Sequence, residues 1–128
     1  MVRVHSYYSE QILRDLSSSY WFKDVIEWAK LHHERLDGSG YPYKVSGDKI
    51  PKEARILAFA DVIAALMEDR PYRKGVTLDD SFKIIENEIA PIIDNDIFQK
   101  ISENRDVLGK IVIDIHQEAF KLYNQDIK

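Results

Sequence analysis

Apolar positions along this chain recur mostly at intervals of three and four, the period of an amphipathic helix. Ser9 to Leu16 is a short stretch of this kind, and Ser17-Ser18-Ser19 after it has the composition of a loop. Between Trp21 and His32 the apolar positions are Trp21, Phe22, Val25, Ile26, Trp28 and Ala29, again close to helical period. Lys52 to Met67 is the strongest helical stretch and has a proline at its start. Asp69-Arg-Pro-Tyr-Arg73 interrupts the pattern. A helix follows over Leu78 to Ile89, beginning near Thr77, with acidic residues suited to a helix N-terminus. Asp94 to Ile101 reads as a shorter helix. Val107 to Tyr123 reads as a final one, with Val107, Ile111, Ile115 and Ala119 on one stripe. No segment shows the alternation of a strand ladder, and no internal repeat is visible. These positions predict one all-α domain of five or six helices. Its one long irregular segment is residues 37–51, which hold three of the five glycines and two of the four prolines. Function often sits in such loops.

A length of 128 residues fits one domain. Composition narrows the picture mainly by exclusion. The chain has no cysteine, so disulfides, thiolate metal sites and a cysteine nucleophile are ruled out. The longest apolar run, Ile56 to Met67, is interrupted by Asp61 and is too short to span a bilayer. Met1-Val-Arg-Val-His5 has no apolar core and does not read as a secretory signal, so the expected location is the cytoplasm, with no membrane partner. A net charge of −4 argues against a bulk electrostatic grip on DNA.

Four features carry candidate chemistry. Asp61 shares a helical face with the small or apolar Ala54, Leu57, Ala58 and Ala65, which predicts burial. A buried carboxylate needs a cation, a metal ion or strong hydrogen bonds, and a structural ion pair would serve as well as a metal. His32 and His33 are adjacent. Neighbouring helical residues point about 100° apart, so the two imidazoles converge on one ion only at a helix end, which the glycines after residue 37 suggest. Otherwise the pair is a surface feature. Asp37-Gly-Ser-Gly-Tyr-Pro42 combines turn formers with glycines that let backbone approach a ligand, and Tyr41 offers a ring to stack. Arg70-Pro-Tyr-Arg73-Lys74 places three cations within five residues, either a phosphate clamp or a solvated turn. His5 alone reads as a surface or capping residue, and His116 as a solvated or packing one.

In order and spacing, His32-His-Glu-Arg-Leu-Asp-Gly-Ser-Gly-Tyr-Pro42, Ile50-Pro-Lys-Glu-Ala-Arg-Ile-Leu57, Ala60-Asp-Val62 and Asp69-Arg-Pro-Tyr-Arg73 together resemble the HD-GYP family. The resemblance is strongest over residues 5–90. It implies an HD-superfamily helical bundle that hydrolyses cyclic di-GMP at a site of two or three divalent metals, often iron or manganese. By the same resemblance His5, His32 and His33 are ligands of one metal and Asp61 of the neighbouring one, and Tyr41, Arg70 and Arg73 contact the nucleotide. Asp37, Gly38, Gly40 and Pro42 build the motif loop. The family's His-Asp pair, which bridges the metals, is absent from these 128 residues. Residues 1–128 are therefore expected to be the C-terminal part of such a domain, truncated on its N-terminal side and inactive as an isolated chain. The alternative is a non-catalytic module that binds a cyclic dinucleotide or a signalling protein such as a diguanylate cyclase-type domain. A fold remnant without a specific ligand is a third reading. Residual zinc or nickel binding by the three histidines, and a homodimer driven by an exposed apolar face, are further expectations.

Overall fold

The computed structural model describes residues 5–16, 22–89 and 93–126, and among these it is helical with no strand. Helix α1 runs His5–Leu16 and α2 Phe22–Leu31. The long loop that follows contains one 3-10 turn, Gly47–Lys49. Helix α3 is Lys52–Met67, α4 is Leu78–Ile84, α5 is Asn95–Glu103 and α6 is Arg105–Asp126. The predicted single helix over 78–89 is in fact α4 followed by one wider π turn, Ile85–Ile89. The expected loop at Ser17–Ser19 and the Trp21 position lie outside the described residues.

Two caps come from short polar side chains. Thr77 accepts the Asp80 N–H at the start of α4. Asp94 accepts the N–H groups of Asp96 and Ile97 at the start of α5. Each satisfies donors that a helix N-terminus leaves unpaired.

The larger core joins α3, α4, the π turn and α5 through Phe59, Ile63, Phe82, Ile85 and Ile97. Phe59, Phe82 and Phe98 meet at ring separations of 6.0–6.3 Å, within the range of favourable tilted aromatic pairs. A smaller core, Leu31, Ile50 and Ala54 with Trp28, Leu36 and Val45, closes the long loop onto α2 and α3.

Arg55 locks that junction. Its Nε donates to the Ile50 carbonyl at 2.8 Å, one terminal nitrogen to the Gly47 carbonyl at 3.1 Å, and the other to Asp94 at 2.9 Å. One side chain of α3 thus ties the end of the long loop to the cap of α5.

The expected apolar exposure is present. Ile56 and Leu57 on α3 are exposed, as are Val107, Ile111, Ile113, Ile115, Phe120, Leu122 and Tyr123 on α6. A groove of about 910 Å³ lies between α3 and α6. No helix among the described residues is long and apolar enough to cross a membrane.

Candidate metal centre

Helix α2 ends at Leu31, and the next two residues are His32 and His33. The chain turns here, with the Glu34 N–H donating to the Leu31 carbonyl. The turn lets adjacent imidazoles face a common point, as the loop composition suggested. Their centroids are 3.9 Å apart. Asp61, halfway along α3, completes the group: one ligand atom from each of His32, His33 and Asp61 lies within 4.8 Å of the others. The His33 Nδ1 to Asp61 Oδ2 distance is 4.0 Å.

The donor set suits a divalent transition metal, for which imidazole and carboxylate are common ligands. His32 Nδ1 lies 2.6 Å from the Ala29 carbonyl, so that nitrogen carries the proton and donates it. An ion would take the Nε2 lone pair, the arrangement in which metal-bound histidines are usually held.

Asp61 departs from expectation in one respect. It was predicted buried, yet its side chain is 53% exposed. The bulky positions Phe59, Val62, Ile63 and Leu66 turn into the core, and Leu57, Ala60, Asp61 and Ala64 are left outward. Spacing of small residues mimicked a buried stripe, but volume decided which face packs. The case for Asp61 as a ligand therefore rests on the two imidazoles beside it and not on desolvation.

His5 is the first residue of α1, and its side chain lies outside the described residues. His116 is exposed on α6 and borders the apolar groove.

The motif loop is built around close approach. A Cβ on Gly40 would fall 2.5 Å from the Glu34 Cα and the His33 carbonyl oxygen, so only glycine fits there. With Gly40 seated, the Tyr41 N–H donates to the His33 carbonyl and the Tyr41 ring stacks on the His33 imidazole at 4.8 Å. Tyr41-Pro42 is cis. Asp37 accepts from both the N–H and the hydroxyl of Ser39, and these bonds hold its carboxyl below the usual range. Gly38 takes the left-handed conformation, φ 80°, that the turn requires.

The two arginines expected to clamp phosphate behave differently. Arg70 is exposed at the edge of the α3–α6 groove, with Glu68 at 3.5 Å. Arg73 donates to the carbonyls of Ala65 and Leu66, at 2.8 and 3.2 Å, and so caps the C-terminus of α3. The carbonyls of a helix end thus engage the Arg73 guanidinium, whereas Arg70 stands in the open.

Residues to which the sequence assigned no role turn out to organise the site. Glu34 and Glu10 are only 5% and 4% exposed. Glu34 lies inside the recognised motif, but its partners sit 9 to 11 residues onward in an irregular loop, where no periodicity reaches. Glu10 pairs with Arg14 one turn away, a spacing that reads as a surface ion pair.

A family model described as HD domain matches residues 1–97. The 3'3'-cGAMP-specific phosphodiesterase 3 of Vibrio cholerae is 39% identical over 107 residues, covering 84% of this chain and 23% of that protein. The 3'3'-cGAMP-specific phosphodiesterase 1 of the same organism is 44% identical over 81 residues, 62% of this chain and 19% of that protein. The cyclic di-GMP phosphodiesterase response regulator RpfG of Xanthomonas campestris is 58% identical over 48 residues, 38% of this chain and 13% of that protein. The chain thus spans less than a quarter of the length of each of these relatives.

Proposed function

The chain belongs to the HD domain family and carries the features of its HD-GYP branch, and on that footing we propose that it contributes the histidine side of a metal-dependent cyclic dinucleotide phosphodiesterase site. The observation that carries this reading is the convergence of His32, His33 and Asp61 within 4.8 Å. These residues would hold a divalent ion, iron or manganese by family likeness, with His5 at the head of α1 as a further ligand. Such an ion, when bound, supplies a Lewis acid for a phosphodiester.

The other roles belong to the chain itself. Ala29 fixes the tautomer of His32, and Tyr41 sets the plane of His33 while offering its outer edge to a base. Arg70 is our candidate for a phosphate contact. Arg73 holds the turn that presents Arg70, their backbones being joined by Arg70 N–H to Arg73 carbonyl and Arg73 N–H to Arg70 carbonyl bonds at 2.8 and 3.1 Å. The α3–α6 groove is mainly aliphatic and suits a doubly anionic nucleotide only at its Arg70 edge, near Asp61, so we put the phosphates there and the base against Tyr41. The setting is the cytoplasm.

The sequence contains no His-Asp pair, so this chain alone is expected to bind metal without appreciable turnover. Titration with manganese and cobalt(II) tests the reading. One ion should bind, and affinity should fall at least tenfold in His33→Ala or Asp61→Ala. Cyclic di-GMP and 3'3'-cGAMP should bind more tightly to the metal-loaded chain, and more weakly to Arg70→Ala. No metal uptake, or equal affinity in these variants, would overturn it. Nucleotide binding that ignores the metal would favour the non-catalytic binding module, the reading the missing His-Asp pair supports.

A further inference from the structure

The two buried carboxylates among the described residues converge on one segment, and neither belongs to the proposed metal-ligating set. Glu34 Oε1 accepts the N–H groups of Tyr43 and Lys44, at 2.6 and 3.1 Å, and Oε2 accepts that of Val45 at 3.1 Å. Glu10, on α1, accepts the Tyr43 hydroxyl. Tyr43 is therefore pinned at both ends, its backbone by Glu34 and its ring by Glu10, with the Lys30 ammonium 4.8 Å over the ring face.

This clamping has a visible cost. Lys44 is held at φ 55°, a conformation that a side-chain-bearing residue keeps only when its surroundings over-determine it. A buried carboxylate also needs several donors to offset lost solvation, and Glu34 has three N–H groups in line. The chain devotes two desolvated charges and a strained residue to a segment with no ligating atom of its own. What that segment fixes is its neighbour. Tyr41, two residues before Tyr43, lies against His33, and Gly40 lies against the backbone of His33 and Glu34.

The geometry points to Glu34 and Tyr43 as positioning residues for His33. Glu34 straps the loop so that Tyr41 stacks on the His33 imidazole and sets its plane, and Tyr43 ties the same strap to α1 through Glu10. This inference rests on reading His33 as a metal ligand, but the positioning itself can be measured without any metal.

The metal-free chain is compared with Glu34→Gln, Tyr43→Phe and Ile97→Ala by NMR of the histidine ring protons. Glu34→Gln keeps an acceptor for two of the amides but turns an NH2 group toward the third. Ile97→Ala truncates the distant core and controls for a general loss of stability. Stacking on Tyr41 should shift the His33 ring protons upfield by its ring current. In Glu34→Gln they should move to the values of an exposed histidine while core methyl resonances stay in place, and Tyr43→Phe should give a smaller shift in the same direction. The second readout is cobalt(II) affinity and its visible spectrum. Glu34→Gln should weaken binding at least tenfold, as loss of an outer-shell partner does at known metal sites, and Ile97→Ala should leave it unchanged.

His33 ring shifts that persist in Glu34→Gln overturn the inference. So does an equal loss in Ile97→Ala, because Glu34 would then act only through overall stability. A wild-type chain that fails to bind cobalt refutes the proposed metal site alone, and the ring shifts still decide whether Glu34 positions His33.

Discussion

The two irregular segments that flank α3 are held in opposite ways. The segment before it, residues 32–51, is fastened by buried groups: Glu34 on three backbone amides, Glu10 on Tyr43, and Arg55 on two carbonyls. The segment after it, residues 68–77, has one half-buried anchor, Arg73 on the Ala65 and Leu66 carbonyls, and is otherwise fastened by exposed groups. Asp69 accepts the Gly75 N–H at 2.8 Å and a Lys74 ammonium at 3.0 Å, and both side chains stand in water. Low dielectric strengthens the first set of bonds, whereas solvent weakens the second. The difference teaches where geometry must be exact and where it can adapt. On the proposed function, imidazoles that converge on an ion would need fixed positions, while a basic rim that meets a mobile phosphate would not.

Breaking the contrast should produce graded effects. The largest belongs to Gly40→Ala. A methyl group there meets backbone on every side and cannot be absorbed by rotating a neighbour. Thermal or urea unfolding should register a loss of about 3 kcal/mol, and manganese affinity should fall with it. A variant of wild-type stability that still binds metal would show that the tight approach is dispensable.

Arg55→Ala comes next. It leaves Asp94 without its cation and removes a donor from the Ile50 carbonyl, while the Gly47 carbonyl keeps the Ile50 N–H, at an expected cost of about 2 kcal/mol by urea titration. The same contact predicts acid sensitivity. Burial pushes the Asp94 carboxyl up, but Arg55 and the N–H groups of Ile97 and Asp96 outweigh it and hold the group below the usual carboxylate range. A carboxyl with a lower pKa folded than unfolded contributes its full stability above about pH 3.9, and loses it as pH falls through the lower folded value. Asp94→Asn should therefore flatten the stability curve below that pH. An unchanged acid limb would mean other carboxylates govern it.

Asp69→Asn should be the mildest. Gly75 and Lys74 hold the Asp69 carboxyl below its usual range, but the site is open to solvent, so a shift in melting temperature near the detection limit is expected. A large loss would place the second segment with the first and dissolve the comparison.

Helix placement was largely legible in the sequence, because apolar period and capping chemistry agree. Lys52 to Met67 is a helix from end to end, and Thr77 is a cap. The run to Ile89 was not legible as two elements. A π turn keeps the same apolar residues and differs only by one residue per turn in its hydrogen bonds. The site was half legible. His32, His33 and Asp61 come within 4.8 Å of one another, closer than an assignment of Asp61 to a neighbouring metal suggests, yet Asp61 lies in the open because bulky neighbours took the core. Glu34, Glu10 and Arg55 were invisible as organisers, since Glu34 and Arg55 bond largely to backbone atoms of an irregular loop and Glu10 accepts a hydroxyl 33 residues away.

The bond from His32 Nδ1 to the Ala29 carbonyl has a consequence for timing. The ring is oriented as α2 folds, so on the proposed function its Nε2 would be set for an ion before any ion arrives. Capture then requires no search among tautomers or rotamers at that residue. If the proposed site holds, the slow event in loading is the stripping of water from the incoming ion, so exchange rates should rank metals by how readily each sheds its own hydration shell.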